Sequence, residues 1–219
     1  MRRWPAALAG VLWAAAVQAA PLQAASTDGR WRIVADGAAI SLFDAAQRPA
    51  RRWVGTAADG SGMSPVAAVF NAAPRRSFIV AFETLPELWE ISYDPNAEPI
   101  YQGLVHDYRQ GEGIAEPGFL NVRRTRLDAP LRGLGFDRSH AFVIGRAPDL
   151  ADGRAVLHLV QLDVRRRIAT FTVPGSPDTA AARTAVLEGR EVMLVPDRNG
   201  GPVLMLDARG ARMLGSQPP

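Results

Sequence analysis

The chain has 219 residues with three histidines and no cysteine. That excludes thiol nucleophiles, thiolate metal sites, disulfides and covalent Cys-x-x-Cys-His haem attachment. His106 stands in Val105-His106-Asp107-Tyr108, ahead of a long stretch rich in Gly, Arg and Pro. An imidazole there can ligate a metal or donate a hydrogen bond. A single histidine makes no metal site by itself, and a loop histidine held by Asp107 is the competing reading. His140, in Asp137-Arg138-Ser139-His140, reads as a surface residue of a turn. His158 alternates with Val156 and Val160, which places the three on one strand face and predicts a packed core histidine. Arg109, Arg123, Arg124 and Arg126 crowd the 107–130 stretch, with Arg132 just beyond it. Guanidinium forks pair bidentately with carboxylates. The interleaved Glu112, Glu116 and Asp128 support a solvated loop equally well. No phosphate-cradling glycine loop, nucleophile elbow or clustered metal-ligand spacing is present.

These side chains must be held by strands. From Trp31 onward, short apolar or alternating runs rich in β-branched residues are broken by Gly, Pro, Asp and Asn. They fall into four groups. The first comprises 31–35, 39–43 and 50–54, and the second 66–71, 77–83, 88–93 and 100–105. The third comprises 134–136, 141–145, 156–163 and 168–173. The last comprises 184–187, 191–195, 203–207 and a ragged piece around Arg212-Met213-Leu214. Trp89 and Phe82 fall at core positions of such strands. The third runs align as Ile40-Ser41-Leu42-Phe43-Asp44, Leu88-Trp89-Glu90-Ile91-Ser92, Val160-Gln161-Leu162-Asp163 and Val203-Leu204-Met205-Leu206-Asp207. Asp44, Asp94, Asp163 and Asp207 are placed to cap turns; nothing pairs them with a nucleophile. Four-stranded units in series predict β-propeller blades, which bury their faces only against neighbours. An irregular β-sandwich would need the same strands but no common unit. Two segments break the rhythm: 107–130, read as an insertion, and 178–187, where Ala180-Ala181-Ala182-Arg183 suits a short helix or a strand approach.

Composition narrows the class. Hydrophobic residues make up 47% and charged residues 21%, as in a folded globular chain. The pI of about 10.1 suggests nucleic acid, but formal net charge is only +3. All 25 basic residues are arginine, whose very high pKa inflates the pI of a small positive excess. Nucleic acid is therefore not an expected partner. Arg2-Arg3 followed by the apolar Trp4–Ala16 has the form of a secretory signal peptide, too short to span a bilayer comfortably. Val17-Gln18-Ala19 offers the cleavage site, with Leu22-Gln23-Ala24 as a later alternative. A periplasmic location is expected, with no integral membrane anchor after cleavage; an uncleaved membrane anchor is the competing reading.

The central part resembles the C-terminal half of the cytochrome d1 haem domain, the eight-bladed propeller of nitrite reductase-like proteins. The resemblance is carried by Ser64-Pro65-Val66-Ala67-Ala68-Val69 and Arg75-Arg76-Ser77-Phe78-Ile79-Val80-Ala81-Phe82-Glu83. It continues through Leu88-Trp89-Glu90-Ile91-Ser92-Tyr93-Asp94-Pro95 and Gly103-Leu104-Val105-His106-Asp107-Tyr108. Phe136-Asp137-Arg138-Ser139-His140 and Leu162-Asp163-Val164-Arg165-Arg166-Arg167-Ile168-Ala169 complete it. These are strand motifs, so they specify fold more than chemistry. The resemblance implies haem d1 or another tetrapyrrole as ligand, with the family's proximal iron ligand supplied from an N-terminal half that has no counterpart in these residues; in the carrier reading His106 would take the iron instead. Tyr108, Arg109, Arg123, Arg124 and Arg132 would then contact the macrocycle or its carboxylates. It also implies histidines in the loops entering two successive blades. Here those loops read Ala129-Pro130-Leu131-Arg132-Gly133 and Pro174-Gly175-Ser176-Pro177-Asp178. Arg132 and Asp178 stand where histidine is expected.

The sequence therefore predicts an all-β chain: a signal peptide over 1–19, then a partial propeller of about four four-stranded antiparallel blades over 26–219. It predicts a non-catalytic binding or interaction module, with a tetrapyrrole carrier as the alternative. Four blades make an arc, so open blade faces are expected to take a second copy or a periplasmic partner protein.

Overall fold

A computed structural model describes residues 22–101 and 115–218. Four four-stranded antiparallel sheets follow one another, each with its strands in chain order. The first holds β1 (Leu22–Ala25), β2 (Trp31–Asp36), β3 (Ala39–Asp44) and β4 (Pro49–Val54). The second holds β5 (Val66–Ala72), β6 (Ser77–Phe82), β7 (Glu87–Ser92) and β8 (Val122–Arg126). The third holds β9 (Arg132–Phe136), β10 (Phe142–Ala147), β11 (Ala155–Gln161) and β12 (Arg166–Val173). The fourth holds β13 (Arg183–Leu187), β14 (Arg190–Val195), β15 (Val203–Asp207) and β16 (Arg212–Gln217).

Stacking follows from the side-chain alternation of strands. In β6, Phe78, Val80 and Phe82 pack on Ile33, Ile40 and Leu42 of the first sheet, while Ile79 and Ala81 pack toward Leu134 and Val143 of the third. In β11, Val156 and Val160 face the second sheet; Ala155, Leu157 and Leu159 face Met193 and Leu206 of the fourth. Strands covered on both sides read as unbroken apolar runs, which is why β6 and β11 were legible. Each of the three core clusters joins consecutive sheets, and none among the described residues joins the first to the fourth. The first strands of neighbouring sheets approach one another, β1 with β5 and β9 with β13, so they form the hub. The outer strands carry Arg51-Arg52, Arg123-Arg124 and Arg166-Arg167. Charge on an edge strand discourages pairing with other chains.

The hairpin between third and fourth strands repeats a detail. Gln47, Arg165 and Ala211 adopt φ of 61°, 52° and 50°, each just before an arginine. A register shift occurs in all three hairpins. Such a left-handed residue beside a bulge lets a short turn re-enter the ladder. Asp44 and Asp207 close their turns by accepting backbone N–H groups and pairing with Arg48 and Arg212. Asp94 likewise accepts from the Asn96 N–H. Asp163 instead reaches Arg75 of the second sheet at 2.8 Å.

Three expectations change. The fourth strand of the second sheet is β8, inside the stretch read as an insertion. Of 100–105, only Ile100 and Tyr101 lie among the described residues, and Ile100 forms a single isolated bridge with Glu116. The first sheet has an extra innermost strand, β1, which contains the alternative cleavage site Leu22-Gln23-Ala24. The 178–187 segment is both things proposed for it: a 3-10 turn at Thr179–Ala181, then β13. Residues 1–21, which include the signal peptide expected over 1–19, lie outside the described residues.

Candidate functional site

The two loops entering the third and fourth sheets converge at the hub. Arg132 opens β9, and Thr179 of the 3-10 turn donates through Oγ1 to the Arg132 carbonyl at 3.3 Å. Gly133 has φ +58°, and a Cβ there would stand 3.0 Å from Thr179 Oγ1, so the close approach favours glycine. Between the loops opens a cavity of about 350 Å³ lined by Pro130, Arg132, Arg146, Asp149, Thr179 and Arg198, among others. A second cavity of about 480 Å³, between β5 and β9, is lined by Ala67, Ala68, Glu83, Arg132 and Gly133. Arg132 borders both. Volumes of this order hold small organic ligands.

Arg146 is fixed. Its Nε and one terminal nitrogen meet the two Asp149 oxygens at 2.9 and 2.6 Å, and the other terminal nitrogen donates to Ser176 Oγ at 3.2 Å. That pairing holds the Asp149 carboxyl below its ordinary range and raises Arg146. Arg198 reaches Asp178 at 3.4 Å. Asp197 accepts the Asn199 and Ser176 N–H groups, which lower its pKa and pin the loop entering the fourth sheet. Arg132 is exposed and makes no ion pair or side-chain hydrogen bond with the described residues.

Of the six residues singled out for cofactor contact, the structure brings Arg132 to the cavities. His106, Tyr108 and Arg109 lie outside the described residues. Arg123 and Arg124 are on β8 and line neither cavity. Arg123 reaches Glu90 at 3.7 Å and donates to the Leu162 and Asp163 carbonyls at 3.2 and 2.7 Å. With Arg75, which meets Glu90 and Asp163 at 2.8 Å each, it ties the second sheet to the third. Arg124 donates to Glu87 at 2.8 Å and to the Thr56 carbonyl at 2.7 Å, with its guanidinium 4.3 Å from the Trp89 ring centre. His158 is buried, 3.5 Å from an Arg167 nitrogen. His140 differs from the surface residue expected: it is half-buried and stacks on Phe136 at 4.9 Å. Burial lowers the pKa of both. Sequence reasoning missed Arg146, Asp149 and Arg198. The local Arg146–Asp149 spacing was visible, but only sheet stacking brings Arg198 beside them.

Four stacked four-stranded blades with their first strands at a hub make this an all-β partial β-propeller, and the proteins it is similar to include cytochrome d1-like ones. No family model matches the chain. The dihydro-haem d1 dehydrogenase of Pseudomonas aeruginosa is similar: 26% identical over 194 residues, covering 87% of this chain and 34% of that protein. The solved structure of dihydro-haem d1 dehydrogenase NirN in complex with DHE aligns with a TM-score of 0.67 at 24% identity, covering 89% of this chain and 37% of that one. Apo AztD from Citrobacter koseri aligns at 0.51 with 11% identity, over 90% of this chain and 46% of that one. The chain thus spans about a third of the length of the curated relative it matches.

Proposed function

We propose that this chain is a non-catalytic periplasmic binding module that holds haem d1 or another carboxylated tetrapyrrole at the hub cavities. The observation that carries the reading is Arg132, exposed and without a side-chain partner among the described residues, between two ligand-sized openings. The similar dehydrogenase, whose structure was solved with DHE, supports the ligand class. The donor set fits the ligand's carboxylates and leaves the iron unserved. Among the described residues no three metal-binding side chains cluster, and neither His140 nor His158 lines a cavity. His106 remains the residue assigned to the iron. Arg132 and Asp178 stand in place of the histidines the resemblance implies, which favours binding over turnover.

Titration of the purified protein with haem tests this. We expect a saturable Soret shift, weakened by Arg132→Gln and unchanged by His140→Ala. His106→Ala reports separately on the iron. Absence of saturable binding, or turnover of dihydro-haem d1 by the chain alone, would overturn the proposal. The periplasmic address is tested by fractionating cells that express the full chain; signal confined to the cytoplasm would refute it.

A second reading is self-association through the fourth sheet. Leu187 and Leu214 of that sheet are large apolar side chains at 43% and 40% exposure; Val186, paired with Glu191, lies on the opposite face of β13 from Leu187. The outer face of the first sheet is mixed: Arg32, hydrogen-bonded to Gln23, lies over Phe43, and Val54 is exposed. A second copy would meet fourth sheet to fourth sheet. Light scattering that shows a monomer at all concentrations would exclude it.

A further inference from the structure

We infer that the smaller hub cavity selects a single carboxylate, anchored on Arg132, and that Arg146 and Arg198 are walls rather than anchors. The inference rests on the binding reading above and specifies what that site recognises. Three guanidinium groups line the cavity, yet their charges are not equally available. Arg146 spends its fork on Asp149 in a two-point pair at 2.9 and 2.6 Å, and its remaining terminal nitrogen on Ser176. A bidentate pair of this kind is the strongest arrangement open to arginine, so an incoming anion gains little by breaking it. Arg198 is matched by Asp178 at 3.4 Å. Two cations are therefore offset by two carboxylates, Asp149 on the cavity wall and Asp178 beside it, and the net charge left is that of Arg132.

Placement agrees with that count. The Arg132 backbone is tethered by Thr179, while its side chain has no partner among the described residues. Pro130 and Pro148 give the cavity two apolar surfaces against which a ring edge can lie. On the other side of β9, Glu83 lines the second cavity with Arg132. A carboxylate there would be repelled by a second carboxylate, so the ligand's anionic end is directed toward the proline side. The site thus reads one acidic substituent and faces the opposite end of the ligand with an acid.

Binding of iron protoporphyrin IX, its dimethyl ester and benzoate to the full-length protein separates the possibilities. The free acid should bind on the order of ten-fold more tightly than the ester, and Arg132→Gln should remove that difference. Asp149→Asn releases Arg146 and should raise affinity for the two-carboxylate porphyrin. Arg198→Gln disturbs only an exposed pair; it keeps the fold by circular dichroism and should change affinity less than about two-fold. Equal binding of acid and ester by the wild type, or an unchanged acid preference in Arg132→Gln, overturns the inference while leaving tetrapyrrole binding intact. A loss in Arg198→Gln as large as that in Arg132→Gln also overturns it. Should no porphyrin bind while benzoate binds the wild type and not Arg132→Gln, the ligand class fails and the single-carboxylate anchor stands.

Discussion

Arg124 should govern stability rather than ligand affinity. Glu87 is only 6% exposed, and its carboxylate accepts from Arg124 at 2.8 Å, from the Trp89 indole at 2.8 Å and from the Ala58 N–H at 3.0 Å. Arg124→Met leaves a buried carboxylate with two neutral donors and removes the cation from the Trp89 face. Breaking a buried pair by deleting one partner costs about 3–5 kcal/mol. The Arg124 side chain keeps 20% exposure, so water partly compensates and about 2–3 kcal/mol is expected. A folded domain of this size loses roughly 2–4 °C in Tm per kcal/mol, so Tm should fall by about 4–12 °C. Glu87→Gln combined with Arg124→Met removes both charges and should recover more than about 1 kcal/mol of the summed single losses. Urea unfolding of the four proteins closes the cycle. Additive losses, or an Arg124→Met loss below about 0.5 kcal/mol, would refute the account, because a loss that small is typical of an exposed pair.

Three further outcomes follow from other parts of the fold. Burial, aided by Arg167, lowers the His158 pKa from 6.5, so the unfolded chain takes up that proton first as pH falls. The neutral form's contribution is full above about pH 6.5 and is lost progressively below it; His158→Gln should flatten that part of the stability–pH curve. Gly135→Ala places a Cβ 2.4 Å from the Thr179 carbonyl and 2.5 Å from the Ala182 Cβ. Forcing β9 from the 3-10 turn should cost about 1–3 kcal/mol, read by thermal melting, and weaken ligand binding at the junction. Cleavage after Ala24 would cut β1 from the first sheet, where Gln23 and Ala24 pair with Val34 and Ile33. Amino-terminal sequencing of exported protein should begin at Ala20, and a chain starting at Ala25 should melt lower.

The sequence made the covered strands readable and concealed the edges. The aligned third runs ending near Asp44, Ser92, Asp163 and Asp207 fall on or just beyond β3, β7, β11 and β15; β7 and β11, in the inner sheets, are buried on both faces, whereas β3 and β15, in the end sheets, keep partly exposed positions. Strand β8, Val122-Arg123-Arg124-Thr125-Arg126, looked like loop because an outer strand buries only alternate residues and its arginines are held by acids of β7. Strand β1, Leu22-Gln23-Ala24-Ala25, was missed because it follows directly on the alanine-rich residues expected to form a signal peptide and its own composition carries no strand signal. At the site, Arg132 was visible as a departure from the pattern of the resembled domain. Its setting was not, because Arg146 and Arg198 lie on hairpins of different sheets and meet only after stacking.

A chain whose basic residues are all arginine invites the idea that arginine is there to bind anions. The placement of the carboxylates argues for a narrower division of labour. Arg48, Arg75, Arg124, Arg146 and Arg212 each have an acid within 3.2 Å, and each such pair joins turns, strands or sheets. A paired guanidinium presents an approaching ligand carboxylate with a weaker net attraction than an unpaired one. What can recognise an anion is thus set by where an acid has been left out. At the hub, acids pair with Arg146 and Arg198, and none among the described residues pairs with Arg132, so a neutralising acid introduced beside Arg132 should abolish binding while sparing stability.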